Sequence, residues 1–408
     1  MSRVVFFAIA ICVAALVLQC SNKSQDPEDP VRALTAAETE LVGSSNAFGF
    51  NLFKEIVEQE TDSNIFISPL SVSMALGMAL NGANGETRDS MAETLEFSGM
   101  SMEEINDSYK SLIDLLSNLD EKVKFQIANS IWPELRFPVE EEFIDINRTY
   151  FDAEIQVLDF CDPQSVDMIN EWVNNNTNGK IREILREIPP QIVMLLINAI
   201  YFNGDWTAKF DPEDTHNAPF YLSDGTSTVC EMMQQQNTVR YFSTEEFSAI
   251  ELPYGDGDFS MVILLPNQGV ELDAVIDQLS DENWNEWIAS FYDADLTLKI
   301  PKFELEYEIE LSDVLKALGM GIAFNEYLAD FSGINKDRNL FIDFVKHVTY
   351  VRVDEVGTEA AAVTAVGFGT TSGGPPKAFI VDRPFAFVLR ESHSGTLLFM
   401  GKIVEPVF

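Results

Sequence analysis

Apolar residues follow two different patterns along the chain. Residues 193–202 and 259–265 are almost continuously apolar over the length of a strand, which is the pattern of strands covered on both faces. Elsewhere apolar residues recur every three to four positions, which predicts amphipathic helices. The predicted helices span residues 47–59, 71–80, 103–119 and 166–176. Together these patterns predict an α+β fold.

The segment 355–364, EVGTEAAAVT, follows neither pattern. Gly357 offers a backbone pivot, because a residue without a Cβ reaches φ/ψ regions closed to others. Beyond it, alternation along an extended chain would give two faces. One face carries Thr358, Ala360, Ala362, Thr364, Val366 and Phe368, and the other carries Glu359, Ala361, Val363 and Ala365. The pattern fits an alanine-rich edge strand or helical turn, and it also fits a segment that lies in solvent first and joins a sheet later without burying a charge.

Length and composition favour a single large folded unit. The chain has 408 residues, more than the ~100–200 of a typical domain, yet no Pro/Gly/Ser-rich linker divides it. A hydrophobic content of 46% with 30 Phe is ample for one core. We therefore predict one domain over residues 39–408 and a monomeric protein.

The net charge is −40, from 66 acidic and 26 basic residues. Nucleic acid is excluded as a partner, because phosphate binding needs clustered Lys and Arg. The acidic surface keeps the protein soluble. An alternative is adaptation to a saline habitat, since salt screens the repulsion within such a surface.

Residues 1–20 have the layout of an export signal. Arg3 precedes an apolar run over residues 4–18, which is too short for a comfortable transmembrane helix. The placement of Cys20 resembles a bacterial lipoprotein signal in which this cysteine is lipidated, although Gln19 departs from the usual small residue and leaves simple secretion open. We expect a secreted protein or a lipoprotein of the cell surface or outer membrane, on the extracellular or periplasmic side. Residues 21–38 are predicted to form a disordered acidic tether.

The residues that usually carry catalysis are scarce. The three histidines are His216, His347 and His393, and no HExxH, GxSxG, CxxC or GxxxxGKS/T motif is present. The two cysteines outside the signal region, Cys161 and Cys230, do not make a disulfide framework. We therefore predict a protein that is not an enzyme and needs no metal or cofactor.

Short motifs along the chain resemble those of the serpins, the suicide-type serine protease inhibitors. They are NIFISPL at 64–70, NAIYFNGDW at 198–206, ELPY at 251–254, GTEAAA at 357–362, FIVDRPFAFVL at 379–389 and LLFMGKIVEP at 397–406. Their order and spacing cover roughly residues 40–408. The resemblance implies a large mixed central β-sheet with two smaller sheets, about eight or nine helices, and an exposed reactive loop at about 355–380.

The resemblance also assigns roles to individual residues. The hinge of the loop matches Glu355, Gly357, Thr358, Glu359, Ala360, Ala361 and Ala362. A "shutter" beneath the central sheet matches Ser71, Asn198 and His347, and a "breach" at its top matches Trp206, Lys302 and Glu355. Val356 departs from the charged residue that many inhibitory serpins carry there.

The bait bond follows from the usual serpin distance from the hinge, which gives Thr371–Ser372, with Thr370–Thr371 as the next choice. Counting back from Pro384 gives Gly373–Gly374 instead, because this loop is longer than the standard one. Residues 363–374 contain no Lys, Arg, Asp or Glu. Trypsin-like and caspase-like targets are therefore disfavoured, since their pockets need a charged residue before the cut bond.

The implied function is irreversible inhibition of an extracellular serine protease. The target is expected to be elastase- or subtilisin-like, with cysteine proteases as a further class. The cleaved loop would insert into the central sheet and trap the protease as a covalent 1:1 complex. No heparin-binding surface is expected on so acidic a chain, and a membrane would be met only through a lipid on Cys20. The alternative is a non-inhibitory serpin that acts as a binding or chaperone module.

Overall fold

The computed structural model describes residues 32–336, 340–358 and 377–408. The chain divides into two units at Ala33/Leu34, and the fold below is that of the second, Leu34–Phe408. The α-helices of the described ranges are α1 (Ala36–Gln59), α2 (Pro69–Leu80), α3 (Gly85–Thr94), α4 (Met102–Leu116), α5 (Glu141–Tyr150), α6 (Gln164–Asn176), α7 (Leu272–Ile276), α8 (Asp281–Ser290) and α9 (Ser312–Ala317). No helix within these ranges is long and apolar enough to cross a bilayer.

Fifteen strands are present in the same ranges. They are β1 (Ile65–Ile67), β2 (Val123–Pro133), β3 (Glu154–Ile155), β4 (Met194–Asp205), β5 (His216–Tyr221), β6 (Ser227–Ser243), β7 (Phe247–Tyr254), β8 (Phe259–Pro266), β9 (Tyr292–Pro301), β10 (Phe303–Glu310), β11 (Lys346–Val353), β12 (Gly357–Thr358), β13 (Lys377–Ile380), β14 (Phe385–Glu391) and β15 (Leu397–Ile403). Helices and strands together give the predicted α+β class.

The strands form two sheets. One is six-stranded and mixed, in the order β10-β11-β12-β4-β2-β3, with only β2 and β3 parallel among its pairs. The other has nine strands in the order β1-β15-β14-β8-β7-β6-β9-β13, with β5 on the side of β6. The two smaller sheets that the resemblance implies are continuous here, because the 17 residues of β6 pair with β5, β7 and β9 in turn.

The core lies between these sheets and the helices. Phe66 on β1 stacks on Phe399 at 5.0 Å and on Phe387 at 5.6 Å between ring centroids, so three aromatic side chains fix neighbouring strands. A second, smaller core packs α6 against β2 and β4, with Trp132 and Ile169 buried at its centre. Both cores lie next to β4, which is therefore covered along much of its length.

Most of the predicted elements are found with shifted ends. The helices predicted at 71–80, 103–119 and 166–176 correspond to α2, α4 and α6, and the two apolar runs are β4 and β8. The predicted tether 21–38 is wrong over its last three residues, because α1 already begins at Ala36. Thr35 caps this helix, and the Glu38 side chain reaches back to the Thr35 backbone N–H, which completes a capping box. Residues 21–31 of the tether lie outside the described residues.

Two glycines provide a matched test of this packing. Gly401 lies in the middle of β15, where an added Cβ would stand 2.2 Å from the Phe387 ring, whereas a Cβ on Gly43 in α1 would meet nothing within 4 Å. We expect Gly401→Ala to cost about 1–3 kcal/mol through overpacking and Gly43→Ala to gain about 0.5–1 kcal/mol through helix propensity. The midpoint of thermal unfolding by circular dichroism should fall for the first variant and rise for the second. Equal shifts for both would contradict the close contact at Gly401.

Candidate functional site

The hinge begins as a short strand inside the six-stranded sheet. Thr358 pairs with Val353 of β11 on one side and with Gly204 of β4 on the other. Gly357 lies opposite Asp205, and a Cβ on it would stand 2.1 Å from the Gly204 carbonyl oxygen. Only glycine fits there without moving β4, because a real Cβ does not come so close to a backbone atom. This explains the glycine that the sequence places at the pivot.

An ion pair holds the base of the hinge. Lys302 Nζ lies 3.4 Å from Glu355 Oε2, and the two side chains are only 13% and 11% exposed. The hydroxyl of Thr215 donates to the other carboxylate oxygen of Glu355 at 2.8 Å, and the Phe210 N–H donates to the Glu355 carbonyl. Lys302 also lies 3.5 Å from Glu231. The predicted breach pair is thus in contact and nearly buried. Its electrostatic attraction is screened less than that of an exposed ion pair, which contributes about 1 kcal/mol to stability.

Trp206, the third breach residue, holds the turn that leads into the hinge. Its indole Nε1 donates to the Asp354 carbonyl at 2.9 Å, and its backbone N–H donates to the Val356 carbonyl at 2.8 Å. The indole ring stacks on Tyr254, with centroids 4.4 Å apart and planes 14° apart. The Tyr254 hydroxyl in turn lies 2.6 Å from the Thr358 hydroxyl. A continuous chain of contacts therefore joins Trp206 to the Thr358 side chain of β12.

Phe408 completes this region and was not predicted. Its ring centroid lies 4.1 Å from Lys302 Nζ and 4.6 Å from the Arg352 guanidinium carbon. The preceding carbonyl, that of Val407, accepts from the Glu304 N–H at 2.6 Å. Nothing near Phe408 in the sequence signals this role, because both cations lie more than 50 residues away from it. The ring adds a cation–π contact to the lysine of the hinge-base ion pair.

A cavity of about 370 Å³ lies between β4 and β11, below the hinge. Residues 194–200 of β4 and 346–349 of β11 form its walls, and α2 contributes Ser71, Val72 and Ala75. In the part of the chain that the structure describes, no hydrogen-bonded ladder joins β4 directly to β11, and β12 alone bridges them. The inner edges of both strands therefore face this cavity.

The three predicted shutter residues, Ser71, Asn198 and His347, all line this cavity, but their hydrogen bonds run to other partners. His347 Nε2 accepts from the Ser68 N–H at 3.0 Å, and Ser68 Oγ accepts from the Ser71 N–H at 3.2 Å. Ser68 therefore links His347 to α2. This role of Ser68 was not predicted from the sequence. As the N-cap of α2 it also donates its hydroxyl to the Leu398 carbonyl.

Asn198 is only half satisfied. Its Nδ2 donates to Asn129 Oδ1 at 2.8 Å, while its Oδ1 is buried with no hydrogen-bond partner in the described structure. A buried acceptor of this kind costs free energy until a donor reaches it.

Burial lowers the pKa of His347 to about 4, so that its ring is neutral at pH 7 and can accept from Ser68.

The remaining predicted residues fall into two groups. Cys20, the hinge residues 359–362 and the bait residues Thr370, Thr371 and Ser372 lie outside the described residues. His216 and His393 are exposed, and Cys161 and Cys230 are free thiols, with burial raising the pKa of Cys230 to about 11. No group of His, Cys, Asp or Glu in the described ranges is arranged to hold a metal ion.

Comparison with known proteins agrees with this geometry. The family model described as Serpin (serine protease inhibitor) matches residues 43–406. Human Serpin B11 is 32% identical over 383 residues, which cover 88% of this chain and 97% of that protein. The native state of tengpin, a thermophilic serpin, superposes with a TM-score of 0.83 at 32% identity and covers 92% of this chain and 95% of its own.

A thyroxine-binding protein superposes equally well. Human thyroxine-binding globulin, solved with its ligand, gives a TM-score of 0.83 at 27% identity and covers 91% of this chain and all of its own. The fold is thus shared by proteins with different activities. The match over residues 43–406 and the identity to Serpin B11 nevertheless decide the family: this chain is a serpin.

Proposed function

We propose that this serpin is a suicide-type inhibitor of extracellular serine proteases. A target protease attacks the bait bond Thr371–Ser372 with its serine and forms an ester to the Thr371 carbonyl carbon, and the amine of Ser372 leaves. The loop then inserts between β11 and β4 and carries the acylated protease with it. Trapping succeeds when insertion is faster than hydrolysis of that ester.

The position of β12 carries the proposal. Gly357–Thr358 is antiparallel to both β11 and β4, and Thr358 pairs with Val353 and Gly204, four residues beyond the part of each strand that lines the cavity. A chain that continues in the same direction would run down that cavity. Alternation from the buried Thr358 places Ala360, Ala362 and Thr364 on its inner face. These side chains are small and uncharged, so they can be buried at little cost.

The same arrangement supplies a driving force. A new strand would pair its backbone groups with the inner edges of β4 and β11 and would bring donors close to Asn198. Fourteen residues at ~3.3 Å each give an inserted strand of ~45 Å. The chain would thus begin in a kinetically trapped state and reach a lower free energy only after cleavage releases the loop.

The bait segment suggests the class of target. Residues 363–374 lack Lys, Arg, Asp and Glu and contain four glycines. Small neutral side chains fit the shallow pockets of elastase- and subtilisin-like proteases better than a charge-reading pocket. The export-like layout of residues 1–20 supports a site of action outside the cytoplasm, either as a secreted protein or as a lipoprotein anchored through Cys20. On this proposal the partner is one protease molecule for each inhibitor.

Incubation with elastase, subtilisin, trypsin and chymotrypsin tests the proposal. Elastase or subtilisin should give a covalent band near the summed mass on a denaturing gel, together with a released peptide that starts at Ser372 by intact-mass analysis. Trypsin should give no such band at the bait bond. Clean cleavage by all four proteases without a covalent band would make the protein a non-inhibitory serpin and would reject the inhibitory function.

A charged side chain at the first hinge position that still has to enter the sheet tests whether the small residues of the hinge permit insertion. Thr358 is 3% exposed and already lies between β11 and β4, so the next position on the same face, Ala360, is the first that still has to insert. Ala360→Arg would have to bury an unpaired guanidinium as the loop inserts, and this is expected to slow insertion. The variant should be cleaved as a substrate, with at least a tenfold loss of covalent complex. Glu359→Arg is the matched control, since alternation predicts that residue 359 faces the other side of the strand, and it should keep most of the complex. Equal losses would show that the face does not matter.

His347 predicts a pH dependence of stability. Its folded pKa of about 4 lies below the ordinary value of 6.5, so the neutral ring stabilises the fold above pH 6.5, and this contribution is lost as pH falls from 6.5 towards 4. The loss is at most ~3 kcal/mol, at ~1.4 kcal/mol per pH unit. The difference in unfolding midpoint between the wild type and His347→Gln should therefore change over this window. The exposed His216→Gln variant should follow the wild type, and a constant difference for His347→Gln would exclude the effect.

A further inference from the structure

Two buried hydroxyl groups meet where the hinge joins the sheet. Tyr254 is fully buried and Thr358 is 3% exposed, and their oxygens lie 2.6 Å apart. In the described part of the chain, the Tyr254 hydroxyl makes its hydrogen bond with Thr358. A buried phenol needs a partner, because an unpaired one keeps the full cost of leaving water. Burial also raises the pKa of Tyr254 well above its usual range, so the group remains a neutral phenol.

The tyrosine is held rigidly while its partner belongs to a two-residue strand. The Tyr254 ring stacks on Trp206 at 4.4 Å and meets Phe202 edge-on at 5.0 Å. Its backbone ends β7, which is paired with β8 over eight positions, and forms a bridge to Trp206. The hydroxyl therefore keeps its position whether or not Thr358 is present. It acts as a fixed receptor beside the first residues of the hinge.

We infer that Tyr254 is a positioning residue for loop insertion, whose hydroxyl captures Thr358 and commits the hinge to the sheet. This inference rests on the proposed inhibitory function. If the hinge leaves the sheet, the hydroxyls of Tyr254 and Thr358 lose this hydrogen bond. The ring of Tyr254 stays in place, so its hydroxyl stays buried. The contact thus favours the docked hinge and starts insertion at its first residue. The expected consequence is a higher ratio of trapped to hydrolysed protease.

The competing explanation is that Tyr254 only fills the core. The two explanations differ in what the hydroxyl does, because Tyr254→Phe keeps the ring and removes only that oxygen. A core-filling role predicts that Phe traps protease as well as Tyr. A receptor role predicts that the loss depends on the residue at position 358. A double-mutant cycle separates these cases.

The cycle uses Tyr254→Phe, Thr358→Val and the double variant, with Thr358→Ser as a conservative replacement. Each single variant should raise the number of inhibitor molecules consumed per protease about three- to tenfold, which is the range expected for one net hydrogen bond. The double variant should be no worse than the worse single variant, and Thr358→Ser should restore most of the trapping. Independent effects that multiply, or no effect of Tyr254→Phe, would overturn the inference.

A second measurement needs no protease. Hydrogen exchange of the peptide 350–358, followed by mass spectrometry, reports how often the hinge leaves the sheet. Tyr254→Phe should speed this exchange about three- to tenfold and leave the peptide 259–266 unchanged. Tyr109→Phe is the matched control, because Tyr109 is also fully buried and its hydroxyl lies 2.5 Å from Ser73, far from the hinge in the chain. If this control speeds hinge exchange equally, the effect is general destabilisation and the inference fails.

The two measurements also separate this inference from the proposed function. A wild-type protein that is cleaved without any covalent complex would reject inhibition. In that case hydrogen exchange would still report whether Tyr254 holds Thr358 in the sheet. A protein that traps protease but shows no coupling between positions 254 and 358 would keep the proposed function and reject the role of Tyr254.

Discussion

The six-stranded sheet depends on an unfilled pairing between two of its strands. β4 bonds to β2 on its outer side and β11 bonds to β10, while over the described residues their inner edges are bridged only by Gly357–Thr358. Backbone N–H and C=O groups strongly require partners when water is removed. A strand supplied by the chain itself satisfies both edges at once. The small hinge residues, the cavity and the half-satisfied Asn198 all follow from this constraint.

The two ends of the slot are controlled by different chemistry. At the upper end an ion pair, an aromatic stack and a hydroxyl pair hold the hinge, and Phe408 lies over Lys302. At the lower end a neutral histidine is bonded to the N-cap of α2. The upper contacts hold Glu355, Val356 and Thr358, whereas the lower ones hold β11 against the helix beneath it. The proposed insertion would therefore involve both a local step at the hinge and a shift of β11.

The nine-stranded sheet is the fixed counterpart of this slot. Its strands pair on both sides through most of the order, and the buried Arg390 meets Glu251 at 2.9 Å within it. Glu251 also accepts from Ser260 and Arg240, so one carboxylate joins β6, β7, β8 and β14. Tyr254 lies three residues further along the same strand. A rigid platform of this kind can hold a receptor hydroxyl still while the neighbouring sheet rearranges.

Local patterns in the sequence determined the elements, and resemblance supplied the roles. Apolar periodicity predicted α2, α4, α6, β4 and β8, because each depends on neighbours within a few turns or residues. The capping box from Thr35 to Glu38 is a local pattern of the same kind, and it marks the start of α1. The alternation after Gly357 indicated a segment suited to a sheet, and the sequence carries none of the catalytic motifs that would indicate an active site.

Only the tertiary structure decided which distant groups meet. Ser68 and His347 are separated by 279 positions, and Tyr254 and Thr358 by 104. No local pattern encodes such pairs, because their contact depends on the order of strands and on where each strand ends. Phe408 over Lys302 is the same case, since an aromatic residue beyond the last strand has no periodicity to interpret. The sequence thus showed that the hinge can enter a sheet, and the packing of two sheets decided what receives it.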